Sequence, residues 1–411
     1  MTDRTLDAPG AQEAAARGSA LETFLIFLRL GLTSFGGPVA HLGYFRAEFV
    51  ERRGWFDDRA YADLVALCQF MPGPASSQVG LAIGLSRAGG LGMLAAWTGF
   101  TLPSAIALAA FAYGVDAAGG AAGAPWLAGL KAAAVAVVAQ ALLGMARSLC
   151  PDRERATIAV AAAVAMLLAP TVWGQVGAIL IGGLVGWRLL PQEASGGGAA
   201  FRVPVTRPVA VAALAVFALL LGGLPLLAAS SDSHGLALVD AFYRAGALVF
   251  GGGHVVLPLL QAEVVGPGWV SQDDFIAGYG AAQAVPGPLF TFSAFLGAAG
   301  EAAPAGWLGA LICLLAIFLP SVFLVVGLLP FWDALRARPA AKAALAGVNA
   351  AVVGLLAAAL YDPVFTRGVT GGATMALALL AFLALHVWKA PPWAVVACAA
   401  ALGAGLPLVG G

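Results

Sequence analysis

Two stretches of this sequence repeat one another 215 positions apart. Phe27, Arg29, Gly31, Phe35, Gly36 and Gly37 return as Phe242, Arg244, Gly246, Phe250, Gly251 and Gly252, and Glu48 returns as Glu263. After a one-residue slip, Gly54-Trp55 matches Gly268-Trp269, and Gln69 with Pro72-Gly73-Pro74 matches Gln283 with Pro286-Gly287-Pro288. Further on, Leu102-Pro103-Ser104 matches Leu319-Pro320-Ser321, and Ala128-Gly129 matches Ala346-Gly347. Matches in fixed order with a slowly drifting offset mark an internal duplication rather than a glycine-rich composition. The fold is therefore expected to hold two versions of one unit.

Charge sets the solvent of that unit. Of 411 residues, 61% are hydrophobic and 10% charged, where a soluble domain carries about 25% charged residues. The bilayer is the natural medium for such a chain. A net charge of zero gives no pull toward nucleic acid. Long apolar runs predict full crossings at 88–115, 124–147, 155–170, 173–188, 208–229, 304–331, 340–361, 371–388 and 392–408. A crossing takes about 20 residues, so 155–170/173–188 and 371–388/392–408 are tight pairs, turned at Pro170 and at Pro391-Pro392. Residues 1–20 lack an apolar core followed by a cleavage site, and read as a disordered cytoplasmic tail. Cys68, Cys150, Cys313 and Cys398 form no CxxC pair and read as small core residues, not as disulfides or metal ligands.

Basic residues orient the crossings. Arg46, Arg52, Arg53, Arg59 and Arg87 precede the first, Arg147, Arg153 and Arg155 follow the second, and Arg188, Arg202 and Arg207 follow the fourth. The alternate loops 116–125, 170–173 and 230–235 carry no Lys or Arg. The positive-inside rule then places the N-terminus in the cytoplasm and the C-terminus outside an inner membrane. One unpaired crossing, 208–229, lies in a linker spanning 191–235. It reverses the second copy (236–411) relative to the first (21–190). The expected fold is an all-α polytopic membrane protein, an inverted-topology repeat with re-entrant helical hairpins and about nine full crossings.

The hairpins are the stretches too short and too interrupted to cross. They are 21–50, broken at Phe35-Gly36-Gly37-Pro38; 60–86, broken at Pro72-Gly73-Pro74; and their counterparts 236–265 and 272–300. An arm of about 13 residues reaches roughly 20 Å, past mid-bilayer but not across it. Irregular backbone is tolerated at that depth only inside protein or beside water. Each second arm starts near the tip, so its free N–H groups and positive dipole end point to the membrane centre. Four such ends suit an anion.

Arg29 and Arg244 lie seven residues before Gly36 and Gly251. Each is a candidate to grip an oxyanion with parallel hydrogen bonds, or alternatively to snorkel or pair with Glu48 and Glu263. Gln69 and Gln283 precede the proline breaks and offer amide donors. Ser76, Ser77, Thr291 and Ser293 follow them, placed either to cap a helix or to bind substrate. For coupling, the candidates are Glu48, Glu263, His254 and Lys131, the last replaced by Asn349 in the second copy. Each of these also has a structural reading as a salt bridge or packing residue.

At these residues the sequence resembles the chromate ion transporter family, in its long-chain type. The resemblance rests on Phe35-Gly36-Gly37-Pro38 after Arg29 and Gly31, on Gln69 with Pro72-Gly73-Pro74, and on their counterparts Phe250 to His254 and Gln283 with Pro286-Gly287-Pro288. It covers about 21–188 and 236–408. It implies two fused halves of opposite orientation and export of chromate, with sulfate as the natural look-alike. It further implies use of the proton-motive force, and no GxxxxGK[ST] phosphate loop is present for ATP. The alternative is a transporter or channel for sulfate or another small oxyanion. The partners expected are that oxyanion and the lipid bilayer, with a homodimer left open and no cofactor or metal. No HExxH or GxSxG occurs, and the four histidines lack ligand spacing, so nothing points to an enzyme.

Overall fold

The computed structural model describes residues 18–35, 37–117, 125–169, 171–191, 204–250, 256–332 and 338–405. Gly36, Gly251, Gly252 and His254 lie outside the described residues, as does the tail expected over 1–20 except for its last three positions. Every regular element among the described residues is helical.

In the first copy, α1 (Ala20–Thr33) starts at Ser19, whose hydroxyl accepts from the N–H groups of Leu21 and Glu22, and stops at extended Ser34. α2 (Gly37–Arg46) runs on through a wider turn to Arg52. α3 (Asp58–Phe70) is capped by Asp57 and ends at Met71, just before the first proline. α4 (Ala75–Ala117) reverses at Ala88–Gly89, which separates the expected hairpin arm from the expected crossing at 88–115. α5 (Pro125–Leu149), α6 (Arg153–Leu168) and α7 (Val172–Leu189) complete the copy. After the unpaired α8 (Arg207–Ala229), the second copy repeats the order. α9 (His234–Leu248), α10 (Val256–Val264) and α11 (Gln272–Ala282) come first. α12 (Phe292–Ala298) follows a 3-10 turn, and then come α13 (Gly306–Leu328), α14 (Pro339–Ala359), α15 (Gly372–His386) and α16 (Pro392–Gly405). The two Pro-Gly-Pro breaks fall between α3 and α4 and between α11 and α12, where proline withholds a backbone donor.

Length separates the crossings into two kinds. Five segments are long and apolar enough to span: α4, α5, α8, Gly306–Phe331 and Pro339–Gly368. The expected crossings at 155–170, 173–188, 371–388 and 392–408 form as α6, α7, α15 and α16, of 16, 18, 15 and 14 residues. At 1.5 Å per residue these reach about 21–27 Å, short of a hydrocarbon core about 30 Å thick.

The copies exchange their last helices. α6 and α7 of the first copy pack on α14 of the second, and α15 and α16 of the second pack on α5 of the first. Two duplicated glycines make this possible: a methyl group at Gly129 would run into the carbonyl of Ala399, and one at Gly347 into the carbonyl of Gly182. Within each copy, the first arm lies on the Leu-Pro-Ser helix, α1 on α4 and α9 on α13. Beneath the first copy's breaks Phe27, Phe45, Phe49 and Phe100 form a buried aromatic floor. Of the cysteines, Cys68 and Cys313 are core residues as expected. Cys150 is half-buried and Cys398 is exposed, because α16 shows that face outward.

Candidate functional site

The breaks of the two copies are joined to each other. Gly73 donates its N–H to the carbonyl of Val249 at 2.6 Å, and Gly287 donates to the carbonyl of Ser34 at 2.9 Å. Gly287 stands at the place of Gly73, and Val249 at the place of Ser34, so the two bonds are one contact made twice. Both glycines have positive φ, +117° and +96°, where a side chain is strained. Both are also crowded by the other copy. A methyl at Gly73 would sit 2.7 Å from the Ser321 hydroxyl, and one at Gly287 would sit 2.9 Å from the Ser104 hydroxyl. Ser104 and Ser321 are the matched serines of the duplicated Leu-Pro-Ser.

Polar side chains collect along this seam. The ring of fully buried His41 has Nε2 3.2 Å from the Ser34 carbonyl and Nδ1 3.3 Å from the Ser76 hydroxyl. A carbonyl only accepts, so Nε2 carries the proton and Nδ1 accepts from Ser76. Gln78 donates from Nε2 to the carbonyl of Pro72 at 2.6 Å, and Ser104 donates to the carbonyl of Thr101 at 3.1 Å. Among the described residues, the buried side-chain oxygens of Ser34, Ser77, Thr101, Ser293 and Ser321 have no hydrogen-bond partner, nor has Nε2 of Gln283. A buried orphan of this kind costs about 1–3 kcal/mol. Two of them, at Ser34 and Ser321, belong to residues that touch the joined breaks directly, and buried polar groups of this kind call for a partner.

The candidates named from sequence divide accordingly. Ser76 reaches the seam through His41, while Ser77, Gln283 and Ser293 hold buried polar atoms without a partner among the described residues. Thr291 takes the local role, donating to the carbonyl of Pro288 at 2.7 Å. Gln69 is exposed. Gly37 opens α2 with φ +76°. The two arginines differ: Arg29 is exposed, while the guanidinium of Arg244 is shared between Asp240 at 2.8 Å and Glu263 at 2.9 Å. Glu48 is held instead by Arg52 at 3.0 Å and Arg53 at 2.7 Å. Two sequence differences accompany this: Leu25 stands in the first copy where the second has Asp240, and the second copy has no Lys or Arg between Glu263 and Trp269 to match Arg52 and Arg53. Lys131, almost buried in α5, pairs with Asp273 of α11 at 2.9 Å.

Ser34, His41, Gln78 and Thr101 were not among the residues the sequence singles out. The one signal pointing to them is a histidine inside an apolar arm four residues beyond Gly37. Cavities elsewhere suit an anion poorly. One of about 340 Å³ is lined by Thr171, Gln175, Gln261, Gln272 and Asp362 among others, with a carboxylate and no Lys or Arg. Another, of about 430 Å³, has an apolar wall.

The chain matches the family model described as "Chromate transporter" over residues 21–187 and again over 236–404. It is 30% identical over 381 residues to the chromate transport protein of Pseudomonas aeruginosa, covering 90% of this chain and 87% of that one. It is 26% identical over 406 residues to the chromate transport protein of Cupriavidus metallidurans, covering 96% and 95%. An uncharacterised transporter of Bacillus subtilis is 32% identical over 178 residues, covering 41% of this chain and 85% of its own. No solved structure matches. The apolar helices make the chain a multi-pass membrane protein. Matched over both copies and aligned along most of its length with chromate transport proteins, this chain belongs to the chromate transporter family.

Proposed function

We propose that this chain is a secondary active transporter that exports chromate across the inner membrane, driven by the proton-motive force, and that the dianion passes through the seam between the breaks. The observation that carries this reading is the pair of reciprocal bonds, Gly73 to Val249 and Gly287 to Ser34, set among unpartnered buried donors. A dianion leaving water must exchange its hydration shell for fixed donors, and rows of hydroxyls and N–H groups at helix starts supply them. α2 and α4 both begin at the breaks. The solute is moved without chemical change. Chromate comes from the relatives' names; the donor chemistry alone fits any tetrahedral dianion, sulfate included.

In this reading the two copies are inverted about an axis in the membrane plane, with α8 as the crossing that reverses the second. The short pairs α6–α7 and α15–α16 complete about nine crossings, the N-terminus is cytoplasmic and the C-terminus periplasmic. Exposed Arg29 draws the dianion toward the breaks. Glu263 is the better coupling carboxylate than Glu48, because it shares one guanidinium with a second carboxylate while Glu48 has two to itself.

The test is chromate uptake into inverted membrane vesicles with an acidified lumen. Accumulation that collapses with the gradient is expected, and competition by sulfate measures selectivity. Vesicles that fill equally with and without the gradient would refute coupling; vesicles that never fill would refute the substrate.

A further inference from the structure

The two copies hold the same helices in unequal surroundings. In the second copy α11 is buried from Phe275 to Ala282. Its Gly280 lies so near α5 that a methyl there would sit 2.7 Å from the carbonyl of Leu130. Its first turn is tied to the same helix by Asp273 and Lys131 at 2.9 Å. α10 is tied down too, since Gln175 of α7 donates to the carbonyl of Pro258 at 3.0 Å.

The first copy is different. On α3, Ala62, Ala66 and Gln69 are exposed. They stand at i, i+4 and i+7, so they form one face. They occupy the places of Ile276, Gly280 and Gln283, the face that the second copy turns inward. The matching partner is α14, which corresponds to α5. Its Val348 and Asn349 stand where α5 has Leu130 and Lys131. Both are only half-buried, and Asn349 Oδ1 has no partner among the described residues. The surfaces joined between α11 and α5 have counterparts that are exposed on α3 and half-buried on α14.

We propose that the exposed face of α3 is a docking surface for α14 around Val348, and that it closes as α11 leaves Leu130. Two copies of one unit can trade these arrangements at little net cost, since most of the packing given up on one side is restored on the other. Access to the seam then alternates, and the present structure is the state closed on the side of α11. The trade is not even, however. The sequence counterparts of Lys131 and Asp273 are Asn349 and Arg59, which carry no opposite charges. The Lys131–Asp273 pair therefore weights the molecule toward the state seen here. This inference rests on the inverted relation of the copies proposed above.

The experiment is oxidative cross-linking of the full chain in membranes carrying Ala66→Cys together with Val348→Cys. The counterpart approach of Gly280 to α5 is close enough for a disulfide, which needs Cα atoms within about 7 Å. Both positions are at least partly open, so the cysteines fit without disturbing the core. A cross-link absent from either single variant is expected. It should stop transport, reductant should restore it, and Lys131→Gln or Asp273→Asn should raise its yield several-fold. A double variant that transports chromate but never cross-links overturns the docking, as does one that transports fully when cross-linked. A yield unmoved by both charge variants overturns the latch. A protein that cross-links as described but moves no chromate leaves the docking intact and sinks the chromate reading instead.

Discussion

The N–H of Gly287 donates to the carbonyl of Ser34 at 2.9 Å, so the second copy's proline break is anchored on the first copy's own break. The Ser34 carbonyl also faces His41 Nε2 at 3.2 Å, which makes one peptide oxygen the meeting point of two hairpins from different copies. A substitution at Gly287, or at its twin Gly73, should therefore disturb both halves at once. Gly73→Ala and Gly287→Ala each place a methyl at positive φ against the opposite serine, at a cost of about 1–3 kcal/mol. Both variants are expected to lower the melting temperature in detergent and to abolish chromate resistance in cells. Wild-type resistance in either would detach the seam from transport.

Removing an orphan hydroxyl separates folding from function. Ser321→Ala deletes a buried oxygen with no described partner, so stability should hold or rise by about 1 kcal/mol. If that oxygen faces the substrate, chromate uptake should fall several-fold in the same preparation. Ser77→Ala should behave alike. A serine that merely packs would leave uptake unchanged.

The two matched arginines should fail differently. Arg244→Ala strands Asp240 and Glu263 without their shared cation, and loss of one partner from a buried pair costs about 3–5 kcal/mol. Reduced melting temperature and reduced expression are expected. Arg29 is exposed, so Arg29→Ala should change stability by less than about 0.5 kcal/mol while uptake drops. Unaltered uptake by a well-folded Arg29→Ala protein would remove Arg29 from the substrate path.

Exchange of the last helices predicts mutual dependence. A chain ending near residue 200 lacks α15 and α16 to cover α5, and should be degraded when made alone. Co-expression with residues from about 204 onward should restore a protease-resistant complex. Gly347→Leu in the second fragment should prevent that rescue, because it collides with the carbonyl of Gly182.

The breaks are legible in the sequence because proline and glycine interrupt a helix for reasons local to the backbone. The helix exchange is not. Apart from polar residues near their ends, α6, α7, α15 and α16 show no one-sided apolar stripe, and nothing in their pattern says which copy's central helix they cover. Much of the seam is hidden because the two copies have diverged there. His41, Ser34 and Gln78 have Val256, Val249 and Phe292 at their counterpart positions, so the duplication does not mark them. Lys131 stands out as a charge without a twin, but its partner Asp273 lies in the other copy and only folding brings it near. Arg29 and Arg244 look equivalent, but Leu25 stands against Asp240, and Arg52 and Arg53, which hold Glu48, have no basic counterparts beside Glu263.

The crossed arrangement of α6–α7 on α14 and α15–α16 on α5 has a mechanical consequence. Each half wears the other's outer helices, so neither can tilt in the lipid without carrying part of its twin along. In the reading proposed above, motion of one half is thereby geared to motion of the other, and separating them would mean pulling α5 and α14 away from neighbours whose backbones they touch.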